Sequence, residues 1–212
     1  MEKKKILVFD FDGVLYDSVN AMHEYTMNEF KNVTREEVIN LHKENIHDAL
    51  RKATWEKAYE TEDERLEIRD AYLAKKALAP LYEGTKELLE ILSDRYTLMI
   101  STSSTENACF PLLEKEGIGH FFAYVATKET HPSKVEKFRI ISELFHTPLS
   151  QMIFITDTVG DIKEAGVVGI PTIAVSWGVH NETHFNEEHH PHLLVIVHSV
   201  KELEAYLMRG EK

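Results

Sequence analysis

Apolar residues come along the chain in two rhythms. Six short runs carry almost no polar interruption: Ile6–Phe9, Tyr96–Ile100, Phe122–Ala126, Met152–Ile155, Thr172–Val175 and Leu193–Val197. Continuous apolar runs of this length are the pattern of strands buried on both faces of a parallel sheet. Between them the apolar positions recur at helical spacing, over Thr85–Asp94 (Leu88, Leu89, Ile91, Leu92), Glu106–Lys115, Ser133–Phe145, a segment beginning at Ile162–Ala165, and Val200–Met208. Gly117 reads as a helix stop, and Pro111 predicts a bend or break in the helix it interrupts. Strands alternating with helices predict a doubly wound, parallel α/β sheet.

From Asp17 to about Pro80 the rhythm is helical throughout. Ser18 is placed to cap a helix carrying Met22, Tyr25, Met27 and Phe30. Thr34 with Glu37, and Thr61 with Glu64, have the form of capping boxes. Leu66, Arg69, Tyr72, Leu73 and Lys76 then keep helical spacing until Pro80, which cannot continue a helix. The reading is an all-helical insertion over residues 17–80, between a first piece of the core (1–16) and the rest of it (81–212). Trp55 and Tyr59, four apart, are read as core of the insertion, and its Glu/Lys-rich stretches as solvated faces.

Chemistry enters where the first apolar run stops. Asp10, Asp12 and Gly13 follow Phe9 directly. Residues two apart on a continuing strand point the same way, so the two acids address one volume while Phe11 turns inward. Other runs end in polar residues too: Ser101 after the second, and Asp157 and Asp161 after the fourth, with Lys134 at a helix start between. In a parallel sheet these ends share one edge, where ligands of such sheets bind. Four carboxylates around one lysine repel, by about 4 kcal/mol per pair at 4 Å in an effective dielectric of 20. A bound cation relieves this, and an all-oxygen set selects a hard ion, Mg²⁺ above all. An acidic Mg²⁺ site with a lysine and a hydroxyl to hold an anion is suited to phosphoryl transfer.

Totals narrow the field. The 212 residues suit one core domain and a modest insertion. A formal net charge of -12 argues against nucleic acid as a partner. The single cysteine, Cys109, permits no internal disulfide and fits a reducing compartment, so a cytoplasmic location is expected. Lys3–Lys5 before an apolar run looks superficially like a signal peptide. Asp10 ends that run too soon for an h-region or a membrane span.

Taken together, Asp10-Phe-Asp-Gly13, the strand ending at Ser101, Lys134, and Asp157-Thr-Val-Gly-Asp161 resemble in order and spacing the four motifs of haloacid dehalogenase-like hydrolases. The phosphoglycolate phosphatase and β-phosphoglucomutase branch, with its helical cap after the first motif, is the most similar. The resemblance implies that Asp10 is a nucleophile forming an aspartyl-phosphate. It implies that Asp12 is the acid and base, that Ser101, Thr102 and Lys134 grip phosphate, and that Mg²⁺ is held by Asp10, the Asp12 carbonyl and Asp157. Asp161 would be a further ligand or support one. Thr156 stands where the family usually has glycine, which could shift Asp157. Lys128 is an alternative to Lys134, which is favoured for its place at a helix N-terminus.

The expected activity is hydrolysis of a small phosphorylated metabolite by a monomer or weak homodimer. A sugar-phosphate mutase would use the same residues. Dehalogenation does not need Asp12. A phospho-aspartate signalling domain would be shorter and lack the insertion, and a silent binding protein is at odds with the intact acids. The histidine-rich stretch His180–His192 is read as a solvated loop, with Zn²⁺ or Ni²⁺ binding the competing reading.

Overall fold

The computed structural model describes residues 4–209. Six parallel strands form one sheet in the order β3-β2-β1-β4-β5-β6: β1 (Ile6–Phe9), β2 (Thr97–Ser101), β3 (Phe122–Ala126), β4 (Met152–Thr156), β5 (Thr172–Val175) and β6 (Leu193–Val197). Each agrees with its expected apolar run to within a residue. Alternate residues of β1 face opposite layers, as a period of two requires. Leu7 and Phe9 pack with Leu88, Leu89 and Leu92 of α5 (Thr85–Ser93), Leu112 of α6 (Glu106–Glu116) and Leu203 of α10 (Val200–Arg209). Ile6 and Val8 pack with Phe138 and Ile141 of α7 (Lys134–Phe145) and Ala165 of α8 (Val159–Val167).

Pro111 does not break its helix, and α6 runs unbroken through it. Helix α8 begins three residues before the expected start, capped by Thr158, whose side chain accepts the Asp161 N–H. That early start puts Asp161 in the first helical turn rather than in a loop.

Four helices lie between β1 and α5: α1 (Val19–Glu29), α2 (Arg35–Leu41), α3 (Ile46–Lys52) and α4 (Glu62–Lys76). The chain leaves and re-enters through paired segments, with Asp17 N–H donating to Pro80 O and Tyr82 N–H to Leu15 O. Both expected capping boxes form, at Thr34–Glu37 and Thr61–Glu64. Helix α3 went unread because seven residues are too few for a clear period; Asn45 caps it by accepting from the His47 and Asp48 N–H groups. Ser18 precedes α1 as expected but does not cap it. Residues 53–60 are not helical; Trp55 packs edge-on against Phe30, 5.4 Å between centroids.

The helical insertion touches the core at a second place. The loop between α2 and α3 lies on the first turn of α8, where the Gly160 N–H donates to His42 O at 2.9 Å. Around it Lys163 pairs with Glu44 and Asn45 donates to Glu164. A Cβ on Gly160 would stand 2.2 Å from the Glu44 carbonyl oxygen and 2.9 Å from that of His42. Both obstacles are backbone, so Gly160→Ala must push the loop away. The expected cost is about 1–3 kcal/mol in denaturant unfolding, with faster proteolysis over residues 42–45; unchanged unfolding and cleavage would mean that this contact is not closed in solution.

Candidate active site

Register brings the polar strand ends level. Phe9 lies opposite Ile100 of β2 and Ile155 of β4, so the next residues, Asp10, Ser101 and Thr156, stand side by side at the carboxyl edge. Asp10 continues the pairing, its N–H donating to Ile155 O at 2.8 Å. Beyond it the chain turns at Gly13, whose φ of +73° lies in the left-handed region. A Cβ there would stand 2.0 Å from an Asp157 carboxylate oxygen. The first and fourth motifs are therefore in contact, and Asp157 lies on the same face as Asp10. Phe11 is fully buried in the core between the two acids, as strand alternation predicts.

Lys134 is the central cation. Its buried ammonium donates to Asp10 Oδ2 at 2.7 Å and to Asp161 Oδ2 at 2.5 Å. Glu164 on α8 fixes the start of α7 by accepting from the Lys134 N–H and the Ser133 hydroxyl. Thr156 donates to the same Asp161 oxygen at 2.6 Å, so the residue that departs from the family pattern has a polar use here. Lys128, the alternative amine, is exposed, though it too lines the cavity.

Burial raises the Asp10 carboxyl well above the ordinary range against the pull of Lys134, and Asp161 and Asp157 raise it further. Asp157 is pushed up to about 7, by burial first, although the Val179 N–H donates to its Oδ2 at 2.7 Å. In Asp161 the same burial is outweighed by Lys134 and the hydrogen bonds, which hold its carboxyl low. Asp157 Oδ1 is buried without a hydrogen-bond partner. Among the described residues no three acids, histidines or cysteines form a metal cage by themselves. Mg²⁺ does not need one, because it binds through one or two carboxylates and keeps several waters. An orphaned carboxylate oxygen beside a repelled carboxylate fits that ion.

Asp12 sits in a different environment. Lys76, the last residue of α4 and fully buried, reaches both its oxygens, at 2.6 and 2.8 Å. Ser18 and Ser104 each donate to it at 2.5 Å. Burial alone would raise the Asp12 carboxyl; Lys76 beside it and these hydrogen bonds outweigh burial and hold it below the ordinary range. The sequence reading did not place Lys76 or Ser104 beside Asp12, and it read Ser18 only as a helix cap. Arg65, Arg69, Tyr72 and Lys76 share one helical face, but that spacing alone does not separate a solvated lysine from one buried against a distant acid.

The two expected phosphate hydroxyls differ. Both are buried, but Thr102 lines the cavity together with Asp10, its hydroxyl accepting the Ser104 N–H at 3.0 Å, whereas Ser101 does not line it and its Oγ has no hydrogen-bond partner. Lys137, one turn after Lys134 and fully buried, donates to Thr102 O at 2.5 Å and steadies that loop. Burial and the neighbouring Lys134 bring its amine down to about 8.

The histidine-rich stretch does not form a metal cluster among the described residues. His180 is fully buried rather than solvated, and joins the two halves of the molecule: its Nδ1 accepts the Val159 N–H, and Nε2 lies 3.1 Å from Ile39 O. His184 stacks on it, on a short helix α9 (Glu182–Phe185) anchored by buried Phe185. Among the described residues no helix is long and apolar enough to cross a membrane.

Over residues 7–175 the chain matches the family model of haloacid dehalogenase-like hydrolases. A phosphoglycolate phosphatase of Pseudomonas syringae pv. syringae is 25% identical over 87% of this chain and 74% of its own length. One of Agrobacterium fabrum is 32% identical over 46% of this chain and 43% of its own. Several other curated relatives are likewise spanned over less than half their length. Among solved structures, a hydrolase from Pseudomonas syringae superposes with a TM-score of 0.79 at 14% identity, covering 99% of this chain and all of that one. A haloacid dehalogenase-like family protein from Streptococcus pneumoniae gives 0.74 at 22% identity, over 98% of this chain and all of that one. The structural likenesses agree with the sheet and the inserted helices, and the chain belongs to the haloacid dehalogenase-like hydrolases, in the branch that holds the phosphoglycolate phosphatases.

Proposed function

We propose that the protein is a Mg²⁺-dependent phosphatase of small phosphate monoesters, working through an aspartyl-phosphate on Asp10 with residues 17–80 as a lid. The observation that carries this is Lys134, buried and bridging Asp10 and Asp161 beside a cavity that Asp12 also lines. The curated relatives named phosphoglycolate phosphatase support a phosphate ester as substrate.

In this reading the Asp10 carboxylate attacks phosphorus, and the ester bond to the alcohol oxygen breaks as the Asp10–phosphorus bond forms. The Phe11 N–H on Oδ1 and Lys134 on Oδ2 hold the nucleophile in place. Lys134 and the Thr102 hydroxyl take charge on the transferring phosphoryl oxygens. Asp12 delivers a proton to the departing alcohol, then removes one from the water that attacks phosphorus and frees Asp10. Donation requires Asp12 to leave its pair with Lys76 and take up a proton as the ester enters. Mg²⁺ on Asp10, the Asp12 carbonyl and Asp157 would supply positive charge against the phosphate and the crowded acids.

Purified protein is expected to hydrolyse p-nitrophenyl phosphate with Mg²⁺ and to stop with chelator. Asp10→Asn should lose about 10⁴-fold or more in kcat, the order seen when a covalent nucleophile is removed, and acid-quenched wild type should carry an acyl-phosphate. Near-normal turnover by Asp10→Asn would remove it as the nucleophile. Saturating Mg²⁺ should raise the unfolding midpoint by about 5 °C or more, a rise that Asp157→Asn reduces; an equal rise in both would place the ion elsewhere.

Lys76→Met leaves the Asp12 charge buried without its partner, at a cost of about 3–5 kcal/mol near neutral pH. The sign with pH follows from the lowered Asp12 carboxyl. Its pairing contributes stability above the unfolded pKa of about 3.9 and loses it as pH falls through the lower folded value. The gap between wild type and variant should therefore be full at pH 7 and close in acid. A gap that does not change with pH would show that Lys76 stabilises by packing alone.

A further inference from the structure

The cavity between α4 and the sheet edge has a volume of about 640 Å³, within the range that takes a drug-sized ligand. A two-carbon phosphate ester would leave most of it to water. Helix α4 measures its length. Lys76 stands on Asp12 at one end of the face, and Tyr72, Arg69 and Arg65 follow along the wall. At 1.5 Å per residue, Arg65 lies about 16 Å along the helix from Lys76.

The chemistry changes along that distance. Next to the acid pair, the Tyr72 ring lies 5.8 Å from the Lys76 ammonium and stacks on Tyr25 of α1, 4.6 Å between centroids. Further out the wall is cationic. Arg65 and Arg69 are already paired, with Glu62 and Asp70. Lys57 is not: it lies over the Phe30 and Tyr59 rings, at 4.0 and 5.5 Å, with no carboxylate partner among the described residues. Glu29, also on this wall, is the one acid that counters it from α1. Tyr59, read from the sequence as core, lines the cavity instead.

We propose, resting on the phosphatase reading above, that the alcohol half of the substrate is a long, ring-bearing group with an acidic substituent at its far end. The ring lies along Tyr72 and Tyr25, and the distal anion meets Lys57 with Arg65 behind it. Aromatic faces hold flat or ring-shaped groups, and an unpaired ammonium over rings is the cation with least to lose by taking a new anion. The substrate is thus distinguished from a two-carbon ester such as phosphoglycolate by its reach, which sets its second charge two rings away from the phosphate rather than beside it.

The test uses paired synthetic esters. In 4′-carboxybiphenyl-4-yl phosphate a carboxylate stands two rings from the ester oxygen, and the 4′-carboxamide has the same shape without the charge. Wild-type kcat/KM should favour the carboxylate about tenfold or more, and in Lys57→Ala, an exposed loop position, that ratio should fall to near one. Tyr72→Leu should raise KM for both esters relative to phosphoglycolate. Dissociation constants of the two esters for Asp10→Asn with Mg²⁺, by calorimetry, give the same ratio without turnover. A wild-type ratio near one by both measures, or a ratio that Lys57→Ala does not change, overturns the proposal. Absent hydrolysis of every ester, with the binding ratio intact, would instead count against the phosphatase reading.

Discussion

Crowded negative charge is the constraint around which this molecule is built. Parallel register levels Asp10 with Ser101 and Thr156, and the turn at Gly13 brings Asp157 against the first motif. Buried carboxylates at such spacing cannot all ionise unaided. Two buried lysines divide them: Lys134 takes Asp10 and Asp161, while Lys76 takes Asp12. The two lysines come from different parts of the fold, one from α7 of the core and one from α4 of the insertion. What sets Asp12 apart chemically from Asp10, two residues away, is therefore a helix inserted between the first and second strands.

That arrangement explains what could be read from the chain alone. The strands were legible because the four inner ones are buried on both faces and the two edge strands, though partly exposed at Ala123 and Leu194, are as apolar in composition. The acids were legible because strand ends of a parallel sheet meet at one edge whatever the helices do. Lys76 was not, because nothing local distinguishes a lysine on a solvated face from one turned to a distant carboxylate. Ser18 misled for a related reason: its place before α1 fits a cap, yet Asp12 offers its hydroxyl a charged acceptor. Short elements such as α3 and α9 are set by capping side chains and one or two anchors, which leave little rhythm to detect.

Histidine shows the same limit. A run of histidines reads as a metal-binding or solvated loop, but His180 is buried and spends both ring nitrogens on backbone groups of opposite halves. Burial lowers it to about 4, and His42 and His23, near by, to about 3 and 4. All three are neutral at ordinary pH, which suits a seam that must lie beside an acidic edge without adding charge to it. Residue type alone gave no hint of this, because the neutral form is a product of packing.

The seam has one more property. Where the α2–α3 loop rests on Gly160, it does so with the carbonyls of His42 and Glu44. Every residue type carries a carbonyl, so this contact places no demand on the identity of either side chain. The centre of the joint is thus written in the loop's main chain, with Glu44 and Asn45 adding side-chain contacts around it, and cavity positions away from it can be redrawn for a new ligand without rebuilding what seats the roof on its foundation.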